Sequence, residues 1–200
     1  MANRVALFLD RDGTINTEVD FLTQPDEVIL LPNAAKAICE ANAQGFKVFV
    51  ITNQSGIARG DFSESELAKI HHRLVSLLKA EGAHVDGIAY CPHHPEYGIP
   101  PYNVACTCRK PQPGMILDFA HQHGIDLTRS FVIGDRRADV QAGLAAGCTS
   151  ILVLTGYGKS ERSECSTAFP ETFIASNLYS AWKHVQKQLT HRSRKLQPAM

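Results

Sequence analysis

Hydrophobic positions along the chain fall into two patterns that take turns. Short runs rich in β-branched and apolar residues occupy 4–9, 47–52, 87–90, 130–133 and 150–154. The stretches between them space their apolar residues three or four apart, at 33–44, 63–81, 114–123, 138–146 and 176–189. The runs predict strands and the spaced stretches predict amphipathic helices. Ser63-Glu64-Ser65-Glu66 has the form of a capping box ahead of the second helix, and Gly45 and Gly147 stand where helices should stop. Regular alternation of strand and helix predicts an α/β fold, a doubly wound and mainly parallel sheet with helices on both faces. Residues 1–190 read as one domain and 191–200 as a short basic tail, with no repeat or linker. In such a sheet ligands bind beyond the carboxyl ends of the strands, so chemistry should follow each strand directly.

Four strand ends meet that expectation. The first leads into "LDRDGTIN", where Asp10 and Asp12 flank Arg11. Residues two apart in an extended segment point the same way, so both carboxylates converge. They ionise together only beside a cation or with one pKa raised. The second strand ends in Thr52, followed by Asn53, Gln54 and Ser55, a donor-rich turn suited to phosphate oxygens. The third is followed by a long loop closing on Arg109 and Lys110, and a lysine there neutralises a phosphate and an attacking carboxylate. The fourth ends in Asp135, which can join Asp10 around a hard cation such as Mg²⁺. Asp139, four residues on, is read as a support for the next helix rather than a ligand. Taken singly, each motif is also what an ordinary turn or a surface lysine looks like.

In this order the four ends resemble the haloacid dehalogenase superfamily of phosphotransferases, across essentially the whole chain. The resemblance implies Asp10 as the nucleophile that forms an aspartyl-phosphate. It implies Asp12 as the acid and then base, and Thr52 with Lys110 as holders of the phosphoryl group. Mg²⁺ would sit on the Asp10 and Asp135 carboxylates and the Asp12 backbone carbonyl. An acid at Asp12 supplies the base for hydrolysis, so the resemblance points to a phosphatase. Only 41 residues lie between Asp10 and Thr52, which leaves no room for a large cap domain. Short loops, chiefly 16–24 and 91–110, must exclude water and set specificity.

The long loop carries a pattern of its own, "CPHHPEYGIPPYNVACTCRKP" from Cys91 to Pro111. Cys91 and His93 are one residue apart, as are Cys106 and Cys108. Pro92 and Pro95 favour extended backbone, which puts each pair on one side. Two such pairs close a Cys₃His zinc site, and the same alternation turns His94 away. With no open position the site is structural: it pins an irregular loop and with it Arg109 and Lys110.

Together, "LDRDGTIN", "TNQSGIARG", "CPHHP…CTCRKPQPGM" and "IGD" look like the D-glycero-D-manno-heptose-1,7-bisphosphate 7-phosphatase family, over nearly all of 1–160. By that resemblance Thr52, Asn53, Gln54, Ser55, Arg109, Lys110 and Arg136 bind a small sugar bisphosphate, in bacterial heptose and lipopolysaccharide biosynthesis. Arg136 stands where the family typically has Lys, and Glu18-Val19-Asp20-Phe21 departs from its Gly- and aromatic-containing pattern. Histidinol-phosphate phosphatase, with the same zinc loop but usually a shorter gap than the twelve residues between His93 and Cys106, is the alternative.

Composition narrows the field further. Lys+Arg and Asp+Glu balance at 20 each over 200 residues, so no global field favours nucleic acid or an anionic membrane. That argues against a nucleic-acid phosphatase sharing the Asp-x-Asp core. No apolar run approaches a membrane span, and the start is too short for a signal peptide and runs into acidic residues. A cytoplasmic monomer is expected, with its cysteines as ligands or core residues. Cys39 and Cys148 read as core, and Cys165 has no assigned role. A metal-binding module on a dead scaffold is disfavoured by retention of all five catalytic positions.

Overall fold

Six strands pair side by side and all in parallel: β1 (Ala6–Leu9), β2 (Lys47–Asn53), β3 (Gly87–Cys91), β4 (Phe131–Gly134), β5 (Thr149–Val153) and β6 (Phe173–Ala175), in the spatial order β3-β2-β1-β4-β5-β6. The computed structural model describes residues 4–20 and 22–195, and side chains up to 190. The central strands β1 and β4 are buried along their whole length, as parallel strands covered on both faces must be. Seven helices among the described residues cover the sheet: α1 (Ala34–Ala43), α2 (Gly56–Arg59), α3 (Glu64–Ala80), α4 (Gly114–His123), α5 (Arg137–Ala145), α6 (Gly158–Ala168) and α7 (Leu178–Lys195).

The sheet divides the apolar interior in two. On one side α1, α3 and α7 bring Ile38, Leu74, Leu78 and Trp182 onto Leu7, Leu9, Val48 and Val50. Trp182 is fully buried and meets Phe46 edge-on at 5.4 Å, a favourable aromatic geometry. On the other side α4 and α5 cover Phe8, Phe49 and Val132, with Phe119 stacked on Phe49 at 4.3 Å. In α3 the buried positions are Leu67, Ile70, Leu74 and Leu78, the three-and-four spacing of one helical face. Its start is the capping box expected: the Glu66 N–H donates to Ser63 Oγ at 3.3 Å and the Ser63 N–H to Glu66 Oε2 at 2.7 Å.

Strand order reverses between β1 and β4, and the carboxyl ends of those two strands open the crevice where parallel sheets bind ligands. Asp10 follows one and Asp135 the other. The first strand begins later than expected, because Arg4 makes only an isolated bridge to Ile125. Besides two single 3-10 turns, at Pro25–Glu27 and Leu127–Arg129, three elements were not anticipated. Strand β6 is three residues long and follows a polar helix. α2 is a single turn between two glycines. α6 is rich in Ser and Glu and buries only Gly158 and Cys165. Cys165 packs with Val140 and Leu152, the core role that its polar neighbours conceal. α7 continues to Lys195, into the segment read as a tail. The remainder of that segment and Phe21 lie outside the described residues.

Candidate active site and metal centres

Asp10, Thr52, Lys110 and Asp135 meet in one cluster at the strand ends. The β1 ladder extends into the site, with the Asp10 N–H donating to the Ile133 carbonyl at 3.0 Å. Lys110 is the hub. Its Nζ lies 2.6 Å from Asp10 Oδ1 and 2.6 Å from Asp139 Oδ1, and donates to the Ile51 carbonyl at 2.8 Å. Burial works against the lysine's charge, but Asp10 and Asp139 outweigh it and push its pKa up. Asn53 fixes the backbone of Lys110 reciprocally: its amide donates to the Lys110 carbonyl and its Oδ1 accepts the Lys110 N–H, both at 3.0 Å. A residue of the phosphate turn on β2 thus holds the end of the zinc loop in register.

Two carboxylates, Asp10 and Asp139, touch this ammonium, and a third, Asp135, lies close to both. Burial, with Asp139 and Asp12 nearby, raises Asp10 to about 6 against the pull of Lys110. Asp135 is more extreme. It is fully buried and raised to about 9, first by burial and then by Asp10 and Asp139. Its Oδ2 accepts the Tyr157 N–H at 2.7 Å, but its Oδ1 is buried without a hydrogen-bond partner. A buried acceptor left unpaired calls for a cation. Gly13 and Gly156 explain how the backbone closes round this carboxyl: both have positive φ, and a Cβ on either would fall within about 2.2 Å of Asp135 Oδ2. Asp10, Asp135 and Asp139 can present oxygens within 4.8 Å of one another, a hard-oxygen donor set fit for Mg²⁺. Asp139 is already engaged by Lys110 and by the Arg136 N–H at 2.9 Å. This is the supporting position its sequence context suggested.

Asp12 occupies a different environment one residue beyond Arg11. Arg11 is almost wholly buried and grips Asp12 through Nε at 3.0 Å and Nη2 at 2.6 Å. Asn16 donates to Oδ1 at 2.9 Å and Gln54 to Oδ2 at 3.0 Å. Burial alone would raise Asp12, but Arg11 and these amides hold it below the usual carboxylate range. Gln54 also donates to Thr52 Oγ1 at 2.8 Å, which ties the turn after β2 to the Asp-x-Asp pair. Behind Arg11 stands His71 of α3, its Nε2 3.1 Å from Arg11 Nη1. Burial first and the arginine second push His71 down to about 3, so it stays neutral and accepts that bond.

The second metal set is assembled as the spacing implied. Cys91, His93, Cys106 and Cys108 present ligand atoms within 4.8 Å of one another. Cys91 and Cys106 Sγ are 3.5 Å apart, Cys106 and Cys108 Sγ 3.3 Å, and His93 Nδ1 is 3.7 Å from Cys91 and 3.5 Å from Cys108. Tetrahedral zinc with Zn–S of ~2.3 Å wants ligands roughly 3.8 Å apart, so the donors fit that ion and need little movement. His94 turns away and stacks on Tyr97 at 3.5 Å. The loop is also tied to the phosphate turn, because the Gln54 N–H donates to the Cys91 carbonyl at 2.8 Å. Glu64 at the head of α3 accepts from Tyr90 and Tyr102, both at 2.7 Å.

Above the cluster lies a pocket of about 310 Å³ lined by Asp10, Asp12, Thr52, Asn53, Gln54, Ser55, Arg109, Lys110 and Arg136 among others. Further lining residues carry functional groups that sequence reasoning left unassigned: Glu18, Asp20, Arg59, Tyr97 and Tyr157. Arg136 lies 3.8 Å over the Tyr157 ring and 3.9 Å from Glu18. Tyr157 donates through its hydroxyl to Asp20. Burial, with Asp12 nearby, raises Glu18 to about 7 against Arg136. Tyr157 was within reach of the sequence, since it follows the fifth strand end, where the same rule applies.

A family model described as HAD-hydrolase-like matches residues 107–181. The chain is 49% identical over 144 residues to D-glycero-beta-D-manno-heptose-1,7-bisphosphate 7-phosphatase of Rhodopseudomonas palustris, covering 72% of this chain and 80% of that protein. It is 38% identical over 168 residues to the corresponding alpha-heptose enzyme of Burkholderia mallei, covering 84% and 88%. A crystal structure of D,D-heptose 1,7-bisphosphate phosphatase from B. bronchiseptica, complexed with magnesium and phosphate, superposes with a TM-score of 0.82 at 36% identity, over 92% of this chain and 99% of that one.

Proposed function

The chain belongs to the D-glycero-D-manno-heptose-1,7-bisphosphate 7-phosphatase family of haloacid dehalogenase-like hydrolases, and on that premise we propose that it removes the C7 phosphate of the heptose bisphosphate with Asp10 as nucleophile. The observation that carries the assignment of Asp10 is its buried contact with Lys110 at 2.6 Å, facing Asp135 across the reversal of the sheet. Phosphoryl transfer asks for positioning and charge neutralisation above all, and those are what this cluster offers.

Asp10 Oδ attacks phosphorus in line, the bond to the C7 oxygen breaks, and an aspartyl-phosphate forms. Lys110 lies against Asp10 and takes part of the charge that develops on the phosphoryl oxygens. Thr52, Asn53, Gln54 and Ser55 supply donors from the turn after β2. Asp12 is held ionised in the arrangement described. The arriving phosphoryl dianion adds like charge beside it and raises its proton affinity, so that Asp12 takes up a proton from solvent and passes it to the departing C7 oxygen. It then takes a proton from the water that attacks the phospho-enzyme. Asp10, Asp135 and the Asp12 backbone carbonyl would hold Mg²⁺, which would supply the remaining positive charge. Asp139 holds Lys110 rather than the ion. Cys91, His93, Cys106 and Cys108 would hold zinc in a structural role, one that keeps Arg109 and Lys110 at the pocket without taking part in the chemistry.

We assign the β anomer, following the relative at 49% identity. The reading takes residues 1–190 as one catalytic unit, acting as a cytoplasmic monomer on a small molecule. No helix among the described residues is long and apolar enough to cross a membrane. One observation favours a second reading: Glu18 and Asp20 in the pocket suit an ammonium group, as in histidinol phosphate. Their engagement with Arg136 and Tyr157 weakens that case. The test is turnover of both heptose anomers and of histidinol phosphate by the intact enzyme and two variants. Asp10→Asn should abolish turnover. Asp12→Asn should keep Mg²⁺ and lose ~10²–10⁴-fold. Near-normal turnover by Asp10→Asn would remove the nucleophile from this account.

A further inference from the structure

One histidine beside the site takes no part in the transfer itself. His71 lies on α3 next to Ile70 and one turn before Leu74, two of the buried positions of that helix. Its ring reaches the guanidinium of Arg11 and does not line the pocket. Arg11 is almost wholly buried. Its Nε and Nη2 go to Asp12, and Nη1, the nitrogen left over, meets His71 Nε2 at 3.1 Å. A guanidinium has donors only, so Nε2 is the unprotonated nitrogen of the ring and accepts. A buried N–H without a partner is costly. A carboxylate here would satisfy it too, but would also draw the arginine's charge away from Asp12. A neutral acceptor satisfies the donor and leaves that charge to Asp12.

We infer that His71 is a positioning residue for the acid and base step, acting through Arg11 to hold the Asp12 carboxylate in place. The inference deepens the functional reading above and rests on Asp12 being the acid and base. Guanidinium is a rigid plane. Fixing Nη1 at one corner therefore fixes the direction of Nε and Nη2, the two nitrogens that grip Asp12. Asn16 and Gln54 reach the same carboxylate at 2.9 and 3.0 Å, and each is tied elsewhere, Asn16 to the Thr17 carbonyl and Gln54 to Thr52 Oγ1. Asp12 is thus held from three directions, and Arg11 is the direction that depends on a side chain from another element. His71 is itself braced. Its ring lies against Tyr90, with centroids 5.8 Å apart at 58°. The Tyr90 hydroxyl donates to Glu64 at 2.7 Å, two helical turns upstream of His71 on α3, and Tyr102 of the zinc loop donates to the same carboxylate at 2.7 Å. The low proton affinity of His71, pushed down to about 3 by burial and by Arg11, keeps it an acceptor.

The experiment uses substrates whose leaving oxygens differ in their need for a proton: the heptose bisphosphate, phenyl phosphate and 4-nitrophenyl phosphate. An alkoxide or phenoxide leaves poorly without an acid, and nitrophenolate leaves readily without one. His71→Leu removes the acceptor at similar volume. His71→Asn keeps a polar group that is too short to reach Arg11, and carries the test should His71→Leu not fold. His71→Gln returns an amide oxygen to the place of Nε2. In His71→Leu and His71→Asn, kcat/KM should fall ~10–30-fold on the bisphosphate and on phenyl phosphate, the scale of a misplaced rather than a missing acid. The loss on 4-nitrophenyl phosphate should stay below about threefold. His71→Gln should recover most of the activity. Combined with Asp12→Asn, His71→Leu or His71→Asn should cost less than about twofold further on any substrate, because the group that His71 acts on is gone. Zinc content and thermal unfolding, measured for each variant, show that the comparison is between folded proteins. Equal losses on all three substrates, no loss on any, or an undiminished loss beside Asp12→Asn overturns the positioning role. If Asp12→Asn alone shows no bias between phenyl and 4-nitrophenyl phosphate, the acid role of Asp12 falls, and the inference with it.

Discussion

Replacing Asp135 by Asn should make the metal-free protein more stable while abolishing its activity. The carboxyl is fully buried, its Oδ1 has no partner, and Asp10 and Asp139 face it. Its pKa stands at about 9 folded against 3.8 for the free group. The folded state therefore binds the proton more tightly than the unfolded chain. Stability from this group is full below the free value and is lost as pH rises through the folded one. Each unit in that window costs ~1.4 kcal/mol, so at pH 7 the carboxyl destabilises the metal-free fold by ~4 kcal/mol. An amide removes that cost. Its oxygen can still accept the Tyr157 N–H, and its NH₂ takes the place of the unpartnered Oδ1. Allowing for imperfect fit, ~2–4 kcal/mol should be recovered, or roughly 5–15 °C in Tm for a chain of this size. The assay is thermal unfolding in EDTA between pH 5.5 and 9, repeated with Mg²⁺. Wild type should lose stability as pH rises in EDTA and regain ~2.7 kcal/mol at Mg²⁺ a hundredfold above Kd. Asp135→Asn should lose the Mg²⁺ dependence and keep only the shallower pH dependence that Asp10 and Glu18 contribute. A variant less stable than wild type in EDTA, or one whose Tm still climbs with Mg²⁺, would refute the reasoning.

Other expectations follow from the same contacts. His93→Ala should lose zinc on dialysis against a weak chelator and His94→Ala should keep it, read by metal analysis, since only His93 lies among the thiols. Cys106→Ser should lower kcat/KM by ~10²-fold on the bisphosphate, and by less on an aryl phosphate, because a displacement of ~1 Å in Arg109 and Lys110 is enough for such a loss. Equal losses in folded protein would refute the buttress role of zinc. Gly156→Ala should weaken Mg²⁺ binding and lower Tm together, because its Cβ would press on Asp135 Oδ2 at 2.1 Å from a backbone with φ +51°. Calorimetry showing normal Mg²⁺ affinity would contradict it.

Much of this site was legible because its chemistry follows strand ends, and strand ends are local. Asp10, Thr52 and Asp135 are each fixed by an apolar run that finishes beside them, and Lys110 by the cysteine-bearing loop that follows the third run. The zinc ligands were legible for a similar reason, since alternation along extended backbone separates His93 from His94 without tertiary information. What could not be read was brought in from afar. His71 reaches Arg11 across sixty residues, and nothing around it in α3 marks it off from the surface histidine beside it. Arg59 ends a single turn of helix whose apolar content is too small to show a period, and its partner Tyr97 arrives only because the loop tip docks through Gly98. Strand β6 was lost for want of length: three residues cannot display alternation, and it is held by its neighbour β5 rather than by its own pattern.

The central claim is that Asp10, aided by Asp12 and Mg²⁺, removes the phosphate at C7 and leaves the one at C1. Phosphorus NMR of the β-heptose 1,7-bisphosphate during turnover tests it most directly, since the primary and anomeric phosphates give separate signals. The account predicts that the C7 signal is replaced by inorganic phosphate in a Mg²⁺-dependent reaction while the anomeric signal persists, and that Asp10→Asn changes nothing in the spectrum. Loss of the anomeric phosphate first, or release of phosphate by Asp10→Asn at a rate near that of the intact enzyme, would contradict it.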